Sequence, residues 1–168
     1  MRKLVHWIGS LLACWTVIAV WNSCTQEADC TGTNRPMLNA YFYTFVKDTV
    51  ETGFVRDSLV RIAWDTLSVT AYATDSVIVN RDLNAASMTL PLRYAEPVTI
   101  FVLNYGYGYK DTITVAHENT PYFLNMDCGY QMKQEITQIG FTTHLLDSIR
   151  IKDPKIGIYG TENLALYY

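Results

Sequence analysis

The chain has 168 residues with a formal net charge of −3, and 49% of its residues are hydrophobic. This length suits one domain with a single core, and the apolar content excludes a chain that is disordered by composition. With 13 basic against 16 acidic side chains, the chain offers no basic stripe to neutralise a phosphate backbone, so we expect no nucleic-acid partner.

The first segment, residues 1–23, has the pattern of a secretory leader. Two basic residues near the N-terminus are followed by an apolar run that extends to Trp21. The small residue Ser23 precedes Cys24, which is the arrangement at which lipoprotein leaders are cleaved and the thiol is acylated. We therefore predict a lipid anchor at Cys24, which holds the protein on a membrane without spanning it.

Two other interpretations of this segment stay open. Leu11-Leu12-Ala13-Cys14 matches the lipoprotein cleavage pattern more closely, but cleavage there leaves an apolar tail up to Trp21 on the exported chain. The second alternative is an uncleaved membrane anchor, for which about eighteen apolar residues lie near the lower limit of a spanning helix. With Cys24 acylated, we predict an outer-membrane lipoprotein that faces either the periplasm or the outside of the cell.

Residues 24–35 are polar and are predicted to form a tether. Cys30 and Cys128 remain in the exported part, an even number of thiols in an oxidising compartment. We predict a structural disulfide between them, which closes a loop of about 98 residues and contributes roughly 4 to 5 kcal/mol in the chain-entropy model. Free thiols or a metal site are the alternatives, although the remaining histidines, His117 and His144, lack metal-site spacing.

Ten short segments of the domain, residues 36–168, are predicted to be β-strands because they are rich in Val, Ile, Thr, Tyr and Phe. Several alternate between apolar and polar residues, as Ile113 and Val115 do with Thr112 and Thr114. The predicted strands are Met37–Val46, Leu59–Trp64, Leu67–Ala73, Val77–Asn80, Ser87–Leu92, Val98–Asn104, Thr112–His117, Tyr122–Asp127, Ser148–Lys152 and Asn163–Tyr167.

Helical periodicity is scarce along the whole domain. The best helical pattern lies at Gln131–Thr137, which is short and contains β-branched residues, so we assign it to a loop or a single turn. Ten short strands with regularly spaced turn signals predict an all-β fold. We expect an antiparallel β-sandwich of the immunoglobulin-like or a related kind.

A short motif, Asp followed by Ser or Thr and then by an aliphatic residue, occurs six times. We interpret it as turn punctuation, because Asp accepts hydrogen bonds from backbone amides just downstream. Calcium ligation by loop carboxylates is the alternative, although no Asp-x-Asp-x-Asp-Gly loop is present. The six motifs begin at Asp48, Asp57, Asp65, Asp75, Asp111 and Asp147.

Two aromatic groups are candidates for a binding surface. Tyr105, Tyr107 and Tyr109 lie between two predicted strands, where the intervening glycines permit a tight hairpin, and they share one side if the segment is extended. In a second group, alternate residues from Tyr41 to Phe45 share one face of the first strand. Such rings bind sugars or protein partners, and packing in the core or across strands is the alternative for both groups.

Several short motifs follow one another along the domain. They are Arg35-Pro36-Met37, Leu103-Asn104-Tyr105-Gly106, Pro121-Tyr122, Asp127-Cys128-Gly129-Tyr130 and Asn163-Leu164-Ala165-Leu166. Their order and spacing resemble an uncharacterised family of Bacteroidetes lipoproteins, a domain of unknown function. The resemblance covers nearly the whole exported chain, and it implies an envelope compartment but supplies no catalytic residue.

The sequence carries no pattern that indicates catalysis. Gly-x-Ser-x-Gly and His-Glu-x-x-His are absent, and we predict no cofactor and no metal. We therefore expect a non-enzymatic, lipid-anchored envelope protein that binds another envelope protein or assists an outer-membrane component. A surface lipoprotein that binds carbohydrate through Tyr105, Tyr107 and Tyr109 is the alternative, and an enzyme is the third hypothesis.

Overall fold

The computed structural model describes residues 35–49, 55–126, 128–157 and 160–168. The predicted leader, Cys24 and Cys30 lie outside these residues. Within them the protein is built from β-strands. The strands are β1 (Met37–Thr49), β2 (Val55–Arg61), β3 (Trp64–Ala71), β4 (Val77–Ala85), β5 (Ser87–Pro91), β6 (Val98–Asn104), β7 (Lys110–Asn125), β8 (Gly129–Phe141), β9 (Ser148–Ile151), β10 (Lys155–Ile156) and β11 (Leu164–Tyr167).

The strands form two sheets, which confirms the predicted all-β sandwich. One sheet has the order β2-β1-β11-β9, with β5 also paired to β1, and the other has the order β10-β8-β7-β6-β3-β4. Among the pairings of the described residues, β1 with β11 is parallel and the others are antiparallel. The described part of the chain contains no helix long and apolar enough to cross a membrane.

β1 is the central strand of the five-stranded sheet. Its first half pairs with β5 on one side and its second half with β2, while β11 lies on the other side. Leu38, Ala40 and Phe42 alternate along this strand with no exposed surface, and the residues between them are only half-buried. This alternation is expected of a strand that covers a core with one face.

One apolar cluster is shared by the two sheets. Phe101 and Leu103 of β6 and Ile113 and Val115 of β7 are almost completely buried, as the strict alternation of these strands predicts. Each such side chain contributes roughly 1.5 to 3 kcal/mol relative to an exposed one. The five-stranded sheet supplies the opposing side chains, which include Leu38, Phe42, Leu90, Leu164 and Leu166.

β7 and β8 form a hairpin that is longer than its neighbours. β6 pairs with β7 only from Lys110 to Ala116, and β10 pairs with β8 only at Gln134 and Glu135. β7 and β8 themselves stay paired as far as Asn125 and Gly129. Residues 118–125 and 129–133 therefore form a two-stranded extension, which we name the β7–β8 ribbon.

The sequence prediction is wrong over β8. Gln131–Thr137 was assigned to a loop or a turn, but it lies in the middle of this 13-residue strand. Two predicted strands, Thr112–His117 and Tyr122–Asp127, merge in β7, because residues 118–121 stay paired with β8 although they show no apolar alternation.

The interpretation of the Asp motif as turn punctuation is also wrong at several positions. Asp57, Asp65 and Asp111 lie inside β2, β3 and β7. Asp75 does occupy the turn between β3 and β4, where its φ of 49° is in the left-handed region that Asp tolerates. The motif therefore marks the beginnings of strands more often than the turns between them.

Candidate binding surface

The turn between β6 and β7 separates the three tyrosines that were predicted to act together. Gly106, Tyr107 and Gly108 all have positive φ, at 79°, 51° and 84°. The segment is a tight turn instead of an extended strand, so its side chains do not point to one side. Tyr107 is 91% exposed and Tyr109 is 54% exposed, but Tyr105 is only 2% exposed. A three-ring platform is therefore not formed, and the prediction is wrong for Tyr105.

Tyr105 belongs to an aromatic cluster in the core. Its ring centroid lies 4.6 Å from that of Trp64 and 5.6 Å from that of Tyr168, and Tyr168 also contacts Phe42 edge-on at 6.0 Å. The two tyrosine hydroxyl oxygens are 3.0 Å apart. Burial raises the pKa of both Tyr105 and Tyr168, so both hydroxyls stay protonated and the pair is a neutral hydrogen bond.

Asp111 fixes the connection between β8 and β9. Its buried carboxylate accepts hydrogen bonds from the Thr142 hydroxyl at 2.8 Å and from the backbone N–H groups of His144, Leu145 and Leu146 at 2.8, 2.9 and 3.0 Å. Burial alone raises a carboxyl pKa, but these donors outweigh it and lower the pKa of Asp111 below its usual value. The ionised carboxylate therefore organises a loop far along the chain.

His117 lies in a buried polar network near the β-bulge. Its Nδ1 is 3.1 Å from Asn119 Oδ1, which also accepts a hydrogen bond from Gln134 Nε2 at 2.8 Å. Its Nε2 is 2.9 Å from Thr99 Oγ1, and this hydroxyl oxygen also accepts the backbone N–H of Arg93. Burial lowers the pKa of His117, so the neutral ring donates from Nδ1 and accepts at Nε2. Both ring nitrogens are thus engaged within the protein.

A shallow pocket of about 230 Å³ lies where β10 ends beside β8. Lys133 and Lys155 line it together with Glu135 and Asp153, so its charges are balanced. Within the described ranges, His, Cys, Asp and Glu side chains do not gather in a group of three or more that could hold a metal ion. The arrangement favours neither an anionic nor a cationic ligand.

The aromatic residues of β1 pack across strands. The ring of Tyr167 on β11 lies 5.8 Å from that of Tyr43 and stacks on that of Phe45 at 5.9 Å. The guanidinium carbon of Arg61 lies 4.4 Å from the ring centroid of Tyr41. This outer face of the five-stranded sheet is therefore already occupied by its own side chains, although Phe45 at its end is 62% exposed.

The end of the β7–β8 ribbon is the most exposed apolar feature that the sequence reasoning missed. Tyr122, Phe123, Met126 and Tyr130 are 43%, 51%, 91% and 74% exposed. Phe123 and Tyr130 are directly opposite in the register and contact edge-to-face at 5.5 Å, while Tyr122 lies on the other face of the strand. The sequence does contain an indication of this surface, because aromatic residues lie on both sides of the Asn-Met-Asp-Cys-Gly segment.

Two β-sheets around one core, with an aromatic ribbon beyond their edge, define an all-β domain that presents a hairpin. The model of a family of unknown function, DUF6452, matches residues 66–168, and the chain belongs to this family. No curated protein and no solved structure matches the chain. The predicted domain of unknown function is confirmed, whereas its assignment to Bacteroidetes lipoproteins stays a prediction. The match begins within β3, although β1, which precedes it, pairs with β11.

Proposed function

We propose that this protein is a lipid-anchored, non-enzymatic module that binds another protein of the cell envelope through the end of the β7–β8 ribbon. The exposed cluster of Phe123, Met126 and Tyr130 carries the proposal. Aromatic residues and Met are enriched at the centres of protein interfaces, because they supply large contact areas. From Thr120 to Met126 the ribbon has no charged side chain that would oppose desolvation.

Among the described residues, no further strand covers the ribbon. Beyond His117, β7 pairs only with β8, and aromatic side chains are exposed on both faces of the pair. A two-stranded hairpin without a packed face is marginally stable in water. Exposed apolar side chains at such a position are typical of a surface that packs against a partner.

The predicted anchor supports a partner that lies in or at the membrane. Cys128 follows Met126 in the turn of the ribbon, and its predicted disulfide partner, Cys30, comes six residues after Cys24. Six extended residues span about 20 Å, so the predicted bond would limit the separation of the ribbon's end from the acylated residue to about that length. Because Cys30 lies outside the described residues, the bond stays a prediction.

Site-specific photocrosslinking tests the partner surface. A photoreactive phenylalanine analogue replaces Met126 in one variant and Tyr107 in a matched control, because both positions are 91% exposed in hairpin turns. In membranes of the native host, we expect the Met126 variant to give one discrete protein adduct and the Tyr107 variant to give none. Equal adducts at both positions, or none at Met126, contradict a ribbon-specific partner.

Mass spectrometry of the membrane-extracted protein tests the anchor separately. We expect an N-terminal Cys24 that carries acyl chains, and a Cys24→Ser variant that is no longer retained by membranes. Acylation at Cys14 or an intact leader contradicts this anchor but leaves the ribbon surface in place. A Cys30–Cys128 peptide that appears only before reduction supports the predicted disulfide.

The carbohydrate-binding alternative has less support. Its three-tyrosine platform is absent, because Tyr105 is buried, and only Tyr107 and Tyr109 remain exposed at that turn. A glycan array with native protein and Tyr107→Ala as the control is the direct test. A signal that Tyr107→Ala abolishes would favour the carbohydrate function over the protein partner.

A further inference from the structure

The outer edge of β8 is open over part of its length. On one side β8 pairs with β7. On the other side β10 pairs with Gln134 and Glu135, and the carbonyl of Pro154 accepts the N–H of Ile136 at 2.8 Å. In the part of the chain that the structure describes, no strand pairs with this outer side from Gln138 to Phe141. Four consecutive strand residues therefore form a sheet edge that the described strands leave unpaired.

The hydrogen-bond pattern shows which backbone groups face outward. The N–H of Thr142 donates to the carbonyl of Thr112 on β7 at 3.0 Å. Because alternate residues of an antiparallel strand bond to the same neighbour, Gly140 also faces β7, while Ile139 and Phe141 face the other way. The N–H and C=O groups of these two residues are therefore directed to the open edge.

This edge lacks the protection that the other sheet edges have. Proteins block edge pairing with charged side chains, proline or distorted backbone. β2 carries Asp57 and β9 carries Arg150, and β4 carries both Arg81 and Asp82, with a positive φ at Arg81. Residues 136–142 contain neither a charged side chain nor a proline. β5 ends at Pro91 and β10 carries Lys155, so among the edges of the described strands the uncovered part of β8 is the one without a charge or a proline.

We infer that this edge pairs with the same edge of a second copy of the chain, antiparallel and about a twofold axis through Gly140. In this register Ile139 lies opposite the partner's Phe141, and by symmetry Phe141 lies opposite the partner's Ile139. Each of these two pairs forms two backbone hydrogen bonds. Aromatic and β-branched side chains pair favourably across strands, and the two Gly140 residues bring no side chains into conflict. Only Gly140 lies opposite its own copy in this register, and residues 138–142 contain no charged side chain that would have to be desolvated when the two edges meet.

The interface is independent of the β7–β8 ribbon. It uses residues 138–142, whereas the ribbon begins at residue 133 and runs away from them along β8. The dimer continues the six-stranded sheet of one copy into that of the other. An isologous contact of this kind closes on itself and ends the assembly at two copies.

Cysteine crosslinking tests the twofold axis. A Cβ at Gly140 meets only Thr114 Cβ, at an ordinary 3.7 Å, so Gly140→Cys is tolerated. Opposed Cβ atoms in a non-hydrogen-bonded antiparallel pair are about 4.5 to 5.5 Å apart, within reach of a disulfide after a small adjustment. We expect oxidation of the full-length Gly140→Cys protein to give a covalent dimer on a non-reducing gel.

Leu83→Cys is the matched control for this experiment. Leu83 is 70% exposed on β4, at the opposite edge of the same sheet, and both variants keep the same native cysteines and anchor. We expect no dimer above the native background for Leu83→Cys. Equal dimer yields for the two variants overturn the proposal, because they show that the disulfides form by random collision or within a shared micelle.

The oligomeric state provides the second test. Phe141 is 37% exposed, so Phe141→Lys places a charge at the edge with little loss of core packing. We expect the native chain to sediment as a dimer that dissociates on dilution, and Phe141→Lys to sediment as a monomer that still unfolds cooperatively. A native chain that is monomeric at all concentrations, or a Phe141→Lys protein that remains dimeric and folded, overturns the inference.

Discussion

Asp111 Oδ2 accepts the backbone N–H of Leu146 at 3.0 Å across 35 residues of chain, and both residues are almost completely buried. The carboxylate begins β7 and the amide precedes β9, so this contact joins the six-stranded sheet to the connection that enters the five-stranded sheet. The backbone N–H groups of His144 and Leu145 also donate to this carboxylate, which therefore supplies the loop with the acceptors that a neighbouring strand would supply in a sheet.

We expect Asp111→Asn to lower the free energy of unfolding by about 3 kcal/mol. Hydrogen bonds to a charged acceptor contribute roughly 1.5 to 3 kcal/mol each, and the amide that replaces one oxygen turns donors toward the backbone N–H groups. Urea denaturation measures the change. The exposed Asp57→Asn is the control and should stay within about 0.5 kcal/mol of the native protein. Similar stability for both variants would show that Asp111 does not organise the loop.

We expect His117 to make stability depend on pH just below neutrality. Burial lowers the pKa of His117 from the ordinary value of 6.5, so the unfolded chain binds its proton first as the pH falls. The contribution is complete above pH 6.5 and is lost as the pH falls from there through the lowered pKa. Urea titrations across this range measure it. A slope that persists in His117→Gln would assign the effect to other groups.

We expect Tyr168→Ala to lower the free energy of unfolding by roughly 3 to 5 kcal/mol, as for other large aromatic residues removed from cores. Its ring fills the space between Phe42, Trp64 and Tyr105, and the truncation leaves the Tyr105 hydroxyl without its partner. Thermal and urea unfolding measure the loss. Tyr107→Ala, at a 91% exposed position, is the control and should change stability by less than about 0.5 kcal/mol.

The strands that the sequence predicts correctly are those in which buried and exposed residues alternate, because only one face of the strand is buried. In β6, Thr99, Phe101 and Leu103 are buried and their neighbours are not, and the predicted and observed bounds coincide at Val98–Asn104. Such strands lie in the middle of the six-stranded sheet, where local pattern and tertiary environment agree. The two-residue period of these strands is therefore sufficient to predict their bounds from the sequence.

The sequence does not predict β8 as a strand, because few of its residues are buried at this edge of the sheet. Of its residues, Gln134 and Ile136 are buried, and Gln134 is polar because its amide donates to Asn119. Thr137 is the extra residue of the β-bulge opposite Ala116 and His117, and beyond it Ile139 packs partly against the core, so no regular apolar alternation develops. Its strand conformation comes from pairing with β7, which a local pattern does not contain.

The tyrosine prediction failed for a similar physical reason. The period of two applies only to extended backbone, and the positive φ values of Gly106, Tyr107 and Gly108 reverse the chain within three residues. Tyr105 is thereby left at the end of β6 with its ring in the core, and the exposed ring is that of Tyr107. The partners of Asp111 were equally hidden from local reasoning, because they lie 31 to 35 residues away.

The parallel pairing of β1 with β11 has a consequence for how the protein acquires its structure. Ala40 pairs with Leu164, so β1 cannot complete its pairing in the five-stranded sheet until residues 164–167 have reached it. Such distant partners raise the contact order and slow folding, because the entropy of closing the loop is lost before the contact forms. Residues 164–167 must therefore be synthesised before this sheet can close, so β1 stays without its parallel neighbour while the intervening residues are made.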